Sequence, residues 1–223
     1  LADREGRTVI GYAYRKPFFE GRETPEAHRP ARRPREIENQ EELYLEGLQV
    51  EQYRHVTLRA RDYYDEALRR DPDDIRCNDA MGQLLMKQGR PQDALPYFER
   101  AVRRSMLRNC NPRDGEPLFH YAWALEQTGD EAEAARWYRK AAWNANVKAA
   151  ALKQAAKLAL RRGDLAEAGA CVKEALPFGA ESLQLRFLLA YLARKTGKAK
   201  AAGEKNGETL RFDPLDYGAL AET

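Results

Sequence analysis

The chain has 223 residues, 43% of them hydrophobic and 33% charged, with a mean hydropathy of −0.76. That is enough apolar content for a core under a well-hydrated surface, and no stretch approaches the ~20 apolar residues of a membrane-spanning helix. Lys and Arg number 38 against 35 Asp and Glu, a net +3 that is too even to point to nucleic acid. Neither nucleic acid nor a membrane is therefore expected as a partner. Cys77, Cys110 and Cys171 are odd in number and lack metal-like spacing, so reduced thiols in a cytoplasmic setting are expected.

Residues 1–20 lack the basic-then-apolar layout of a secretory leader. The first residue is Leu1 rather than Met, which reads as a piece of a longer protein. Asp3 to Arg7 reads as a turn, and Thr8 to Tyr14 is β-branched and aromatic. A lone hairpin is unstable in water. This segment is expected to be the β-hairpin remnant of a preceding domain, or an edge docked on helices. Residues 21–36 carry Pro25, Pro30 and Pro34 among arginines, which predicts an extended linker or strap. Glu23, Glu26 and Glu36 dilute those arginines as a phosphate site.

Residues 37–223 are predicted to be helical, and a 34-residue beat runs through them. Ala60 and Ala94 stand one period apart, and Gly129, Gly163 and Gly197 repeat the interval twice. That period marks stacked helix pairs, each burying the apolar face of its neighbour. Tyr64 and Ala67 follow Ala60 in the first pair. The second has Gly82, Gly89, Ala94, Phe98 and Ala101; the third Ala122, Gly129, Ala134, Tyr138 and Ala141. The fourth has Ala156, Gly163, Ala168, Val172 and Ala175, and the fifth Ala190, Gly197, Ala202 and Pro214. Small residues are needed where two helices cross closely, and the larger ones wedge between pairs.

Gly129-Asp130 and Gly163-Asp164 place a glycine where a left-handed residue is wanted, then an N-capping aspartate. Glu133 and Glu167 complete the spacing of a capping box. Pro96 should remove one hydrogen bond and bend its helix. Six extra residues around Asn109 to Gly115 predict a loop between pairs two and three.

These residues resemble the tetratricopeptide repeat (TPR) family, with its small eighth residue, alanine at the twentieth and twenty-seventh places and aromatic at the twenty-fourth. The resemblance covers Glu41 to the end and implies an all-α, right-handed solenoid of about five helix pairs. Gly47 lies one residue too far upstream for the pattern, so the first helix is expected to depart from it; Asn206 and Thr209 make the fifth repeat worn. Stretches such as Glu51 to His55, Asp71 to Asn78 and Asn111 to Pro117 are similar to the C-terminal repeats of certain large bacterial proteins. Those carry an uncharacterised N-terminal domain similar to carbohydrate-handling β-sandwiches. This implies a sugar-related parent but transfers no catalytic residue.

No phosphate-binding loop, zinc-protease motif or dinucleotide fingerprint is present, so neither chemistry nor a cofactor or metal is expected. The leading function is a protein–protein interaction or assembly scaffold. The alternative is an accessory module of a carbohydrate-active enzyme whose catalytic domain lies upstream. By TPR register the inner-face candidates are Phe119, His120 and Trp123 in the third repeat, then Lys153, Gln154, Lys157 and Arg161 in the fourth. The fifth adds Phe187, Tyr191, Arg194 and Lys195. Aromatics beside cations suit an acidic or aromatic peptide segment. The lysine-and-asparagine carboxylate clamp of some TPR proteins is not reproduced. Phe212, Leu215, Tyr217 and Leu220 form no polar cap, so a homodimer is expected through that end.

Overall fold

The structure, a computed structural model, describes residues 5–6, 32–53, 56–179 and 181–221. The hairpin expected within residues 1–20 lies outside them except for Glu5 and Gly6, which form a turn with Gly6 at φ +78°. Most of the 21–36 linker is outside as well.

From Arg32 onward the described residues form a compact helical unit without strands. A 3-10 turn, Pro34–Glu36, leads into α1 (Gln40–Gln52) and α2 (Ala60–Arg70). Next come α3 (Ile75–Lys87) with α4 (Pro91–Ser105), and α5 (Glu116–Thr128) with α6 (Glu131–Ala141). Then follow α7 (Ala145–Arg161) with α8 (Leu165–Ala175), α9 (Leu183–Lys195) with α10 (Ala199–Phe212), and a short α11 (Tyr217–Ala221). Short connections force neighbours antiparallel. The result is the expected right-handed α-solenoid of five pairs. The six-residue insert is the loop between α4 and α5.

The N-terminal strap is tied down where it can be described. Arg32 pairs with Glu42 at 2.7 Å, and its carbonyl accepts from the Tyr63 hydroxyl at 2.6 Å. Arg70 reaches back to the carbonyls of Ile37 and Glu38 while pairing with the buried Glu66. Arg69 and Arg70 together hold the Glu66 carboxyl down to about 2, well below its ordinary range.

In the first two pairs a glycine on the first helix faces a large aromatic ring on the second. A Cβ on Gly82 would sit 2.5 Å from the Phe98 ring, so only glycine lets the helices meet there. Gly47 does the same job against Tyr64 at 2.7 Å. The first helix therefore does not depart as its spacing predicts. The connection from α1 to α2 is longer than the other intra-pair turns, and it absorbs the extra residue. Phe98, Tyr64 and Tyr138 are fully buried, each contributing about 1.5–3 kcal/mol of transfer free energy.

The other four intra-pair turns are alike. Gly89, Gly129, Gly163 and Gly197 all have positive φ, between +71° and +94°. After each, the next amide donates five residues back, as Asp130 does to the Leu125 carbonyl at 2.9 Å, closing a Schellman motif. Asp130 and Asp164 then cap α6 and α8 through the amides of Glu133 and Glu167. The reciprocal half of the predicted capping boxes is not formed, because both glutamates face arginines instead. Glu133 pairs with Arg136, and Glu167 with Arg139 and Arg162. Pro96 does not end α4, and the carbonyl it leaves unanswered belongs to the exposed Gln92.

Candidate binding groove

First helices line one face of the solenoid, for α3 touches α5 and α5 touches α7 across the intervening second helices. On the N-terminal part of that face, charges answer one another between repeats. Glu41 of α1 accepts from Arg76 of α3 at 2.7 Å, and the Arg76 guanidinium lies 4.7 Å over the Tyr44 ring. Asp79 of α3 lies 2.9 Å from Nδ1 of His120 on α5. Tyr44, Arg76 and Asp79 line a recess of about 160 Å³ with Gln83 and Glu116. Burial pulls the His120 imidazole down, but the Asp79 bond and charge, helped by Glu116 and Asp114, raise it above its ordinary value of 6.5.

A second kind of tie alternates along the array. The Tyr64 hydroxyl donates to Glu51, and Glu51 pairs with Lys87 of the next repeat. In the third repeat the Tyr138 hydroxyl donates to Glu126 at 2.9 Å, and Glu126 pairs with Arg161 of the fourth at 3.0 Å. The intervening second and fourth repeats have Phe98 and Val172 in the tyrosine's place and Met86 and Leu160 in the glutamate's. A buried hydroxyl needs an acceptor and a buried carboxylate needs a cation, so the tyrosine and the glutamate come and go together.

The C-terminal part differs. Lys153 donates to Gln184 of α9 at 2.7 Å but meets no carboxylate, and among the described residues Lys157 carries no ion pair. Burial, together with the Lys157 charge, lowers the Lys153 amine. Phe187 and Tyr191 stack with centroids 6.2 Å apart, and Arg194 and Lys195 lie 5.4 Å and 5.5 Å over the Tyr191 ring. Gly218 of α11 rests on Phe187, where a Cβ would come within 2.8 Å of the ring. α11 thus stands where another repeat's first helix would.

The sequence-predicted residues accordingly fall into two groups. Lys153, Lys157, Phe187, Tyr191, Arg194 and Lys195 gather on the C-terminal face. Arg161 is committed to Glu126 and Glu131, His120 to Asp79, and Phe119 packs 5.4 Å from Tyr138. Trp123 is half-buried against the core cluster. Sequence reasoning missed Asp79, Glu126 and Gln184, each one repeat away from its partner. The alternation of Tyr with Phe at the wedge, matched by Glu with Met four residues after the small residue, is the signal that finds Glu126. Among the described residues no group of three metal-ligating side chains exists, and no helix is long and apolar enough to cross a membrane.

Residues 80–151 match the tetratricopeptide repeat family model. Over that span the helix pairs are tetratricopeptide repeats, and the array as a whole has the TPR-like solenoid fold. Its fold is shared with YrrB, described as a TPR protein with an unusual peptide-binding site: TM-score 0.64, 16% identity, covering 82% of this chain and 91% of that one. PilW, a widely conserved type IV pilus biogenesis factor, matches with TM-score 0.66 and 19% identity over 82% of both chains. MamA from Desulfovibrio magneticus matches with TM-score 0.64 and 16% identity, covering 80% of this chain and 98% of that one. At these identities the likeness concerns the TPR fold, which here carries its own set of inner-face residues.

Proposed function

We propose that this TPR solenoid is a protein-interaction scaffold whose inner face holds an acidic, aromatic- or aliphatic-bearing segment of a partner over repeats four and five. The observation that carries this reading is the Lys153–Lys157 pair, two cations on one face without a carboxylate, beside the Phe187–Tyr191 stack. Like charges left together favour an anion that answers both, and the stacked rings offer apolar area next to it. The peptide-binding role of YrrB is in keeping with such a use of the fold. No observation on the described residues favours the sugar-related alternative. Selection of random displayed peptides on the protein tests the proposal. Enriched sequences should be acidic with interspersed apolar residues, and Lys153→Glu with Lys157→Glu should weaken them a hundredfold or more, about 2.7 kcal/mol. Enrichment of basic sequences, or binding indifferent to that double change, overturns it.

Self-association is a second reading, favoured by the exposure of Phe212, Leu215, Tyr217 and Leu220 at the C-terminal end of the solenoid. A second copy is the simplest cover for such a face. Light scattering at ~100 μM, where association of about −6 kcal/mol registers, should give a dimer; a monomer there removes this reading.

A further inference from the structure

The connections that follow the second helix of each pair all emerge on one edge of the solenoid, because the helices alternate in direction. Exposed large apolar residues recur along that edge. Leu107 in the α4–α5 loop is 68% exposed, Trp143 between α6 and α7 is 72%, and Phe178 between α8 and α9 is 51%. The three connections are contiguous. Asn146 donates to Asp114 at 3.0 Å, and Gly115 backs onto Val147 and Asn144. Lys148 shares a recess of about 370 Å³ with Trp143 and lies 4.8 Å over the Phe178 ring.

Charge in the middle of this edge, from the end of α4 to the start of α7, is segregated in a way the net +3 conceals, whereas Asp71, Asp73 and Asp74 stand in the α2–α3 connection. Arg103, Arg104, Arg108 and Arg113 face Asp114 alone within their stretch, and Arg139, Lys140 and Lys148 have no acid between them. Arg103 finds a carboxylate on Asp73 of the α2–α3 connection, and Arg139 and Lys148 find theirs on α8. Among the described residues, Arg104, Arg108, Arg113 and Lys140 carry no ion pair.

We propose that this edge seats the protein on an anionic lipid surface, with Leu107, Trp143 and Phe178 entering the headgroup layer and the unpaired cations meeting lipid phosphates. Single apolar tips on successive projecting loops suit a plane, where each inserts separately. A protein interface instead gathers its apolar residues into one buried centre. Trp beside Arg and Lys is the composition of a membrane–water interface, and each juxtamembrane cation strengthens partition to anionic lipid about fivefold.

Sedimentation of the protein with vesicles tests this. Vesicles of phosphatidylcholine with about one-third phosphatidylglycerol should bind it, and pure phosphatidylcholine should bind it far less. Arg104→Gln with Arg108→Gln should weaken binding about 25-fold, and Trp143→Ser should remove the part that survives high salt. Lys153→Gln with Lys157→Gln removes equal charge from the groove and should leave vesicle binding within about twofold, which separates this edge from simple cationic attraction. Cys110 is exposed while Cys77 and Cys171 are buried, so a polarity-sensitive dye on Cys110 should shift to the blue on the vesicles. Circular dichroism establishes that the variants fold. The proposal is overturned if the anionic vesicles do not bind, if the groove variant loses as much as the edge variant, or if the edge variant loses nothing. Binding of soluble polyglutamate by this edge without vesicle binding overturns it too, in favour of an acidic protein.

Discussion

On the inner face of the solenoid, the first three repeats and the last two treat charge in opposite ways. From α1 to α5 acids and cations meet across repeats: Glu41 with Arg76, Glu51 with Lys87, and Asp79 with His120. On α7 and α9, Arg161 is still answered by Glu126, but Lys153 and Lys157 have no such answer, and Arg194 and Lys195 lean over an aromatic ring. Pairs made inside the protein fix the angle between repeats and have little attraction left for a ligand. Lys153 and Lys157, with no carboxylate beside them, add little to stability and keep their field for a partner. The same fold thus separates a part that holds its shape from a part available for recognition.

Removing one member of a buried tie should break that contrast most visibly. Glu126, only 7% exposed, serves both Tyr138 and Arg161. Glu126→Leu should cost about 3 kcal/mol in urea unfolding, whereas Lys157→Leu should stay within about 0.5 kcal/mol. Equal losses would erase the distinction between the two parts. Next in size is the hydroxyl itself. Tyr138→Phe should cost about 1–2 kcal/mol, and the reverse change Phe98→Tyr a similar amount, because Met86 offers no acceptor where Glu126 stands.

A pH titration sharpens the comparison further. The His120 imidazole is held above its ordinary 6.5, so its contribution is fully present below that value and is lost as pH rises through the raised one. The wild-type advantage in melting temperature over Asp79→Asn should therefore be largest under mildly acidic conditions and shrink towards alkaline pH. An advantage growing with pH would contradict the pair. Among the paired charges the smallest effect is expected at Arg76→Gln, below about 1 kcal/mol, since both partners are half exposed.

The sequence displays the fold so openly because helix crossings constrain residue size at fixed intervals. Gly82, Ala94 and Phe98 must recur together wherever two helices approach that closely. The misplaced Gly47 shows the limit of reading by interval, since a longer connecting turn shifts the count without moving the glycine in space. The inner face is legible by the same register, which brings Lys153, Lys157, Phe187 and Tyr191 together. Which of its charges are already answered is not legible by register alone. Asp79 and His120 are 41 residues apart, and their meeting depends on how one repeat lies on the next. The edge bearing Trp143 escaped notice for a related reason: a net charge sums over faces that the fold keeps apart.

The four glycine turns make the helix pairs interchangeable at their joints. A segment cut at Gly129 and resumed at Gly163 leaves the same left-handed residue, the same backward amide bonds and the same capping aspartate on either side of the splice. Copying a stretch of about thirty-four codons between such joints lengthens the protein by one unit without asking any neighbour to change direction. The turn from α1 to α2 has no such glycine, so the array is free to grow in its interior but not by duplicating its first joint. Its length is therefore a variable that a gene can adjust in whole steps, adding inner face and edge together.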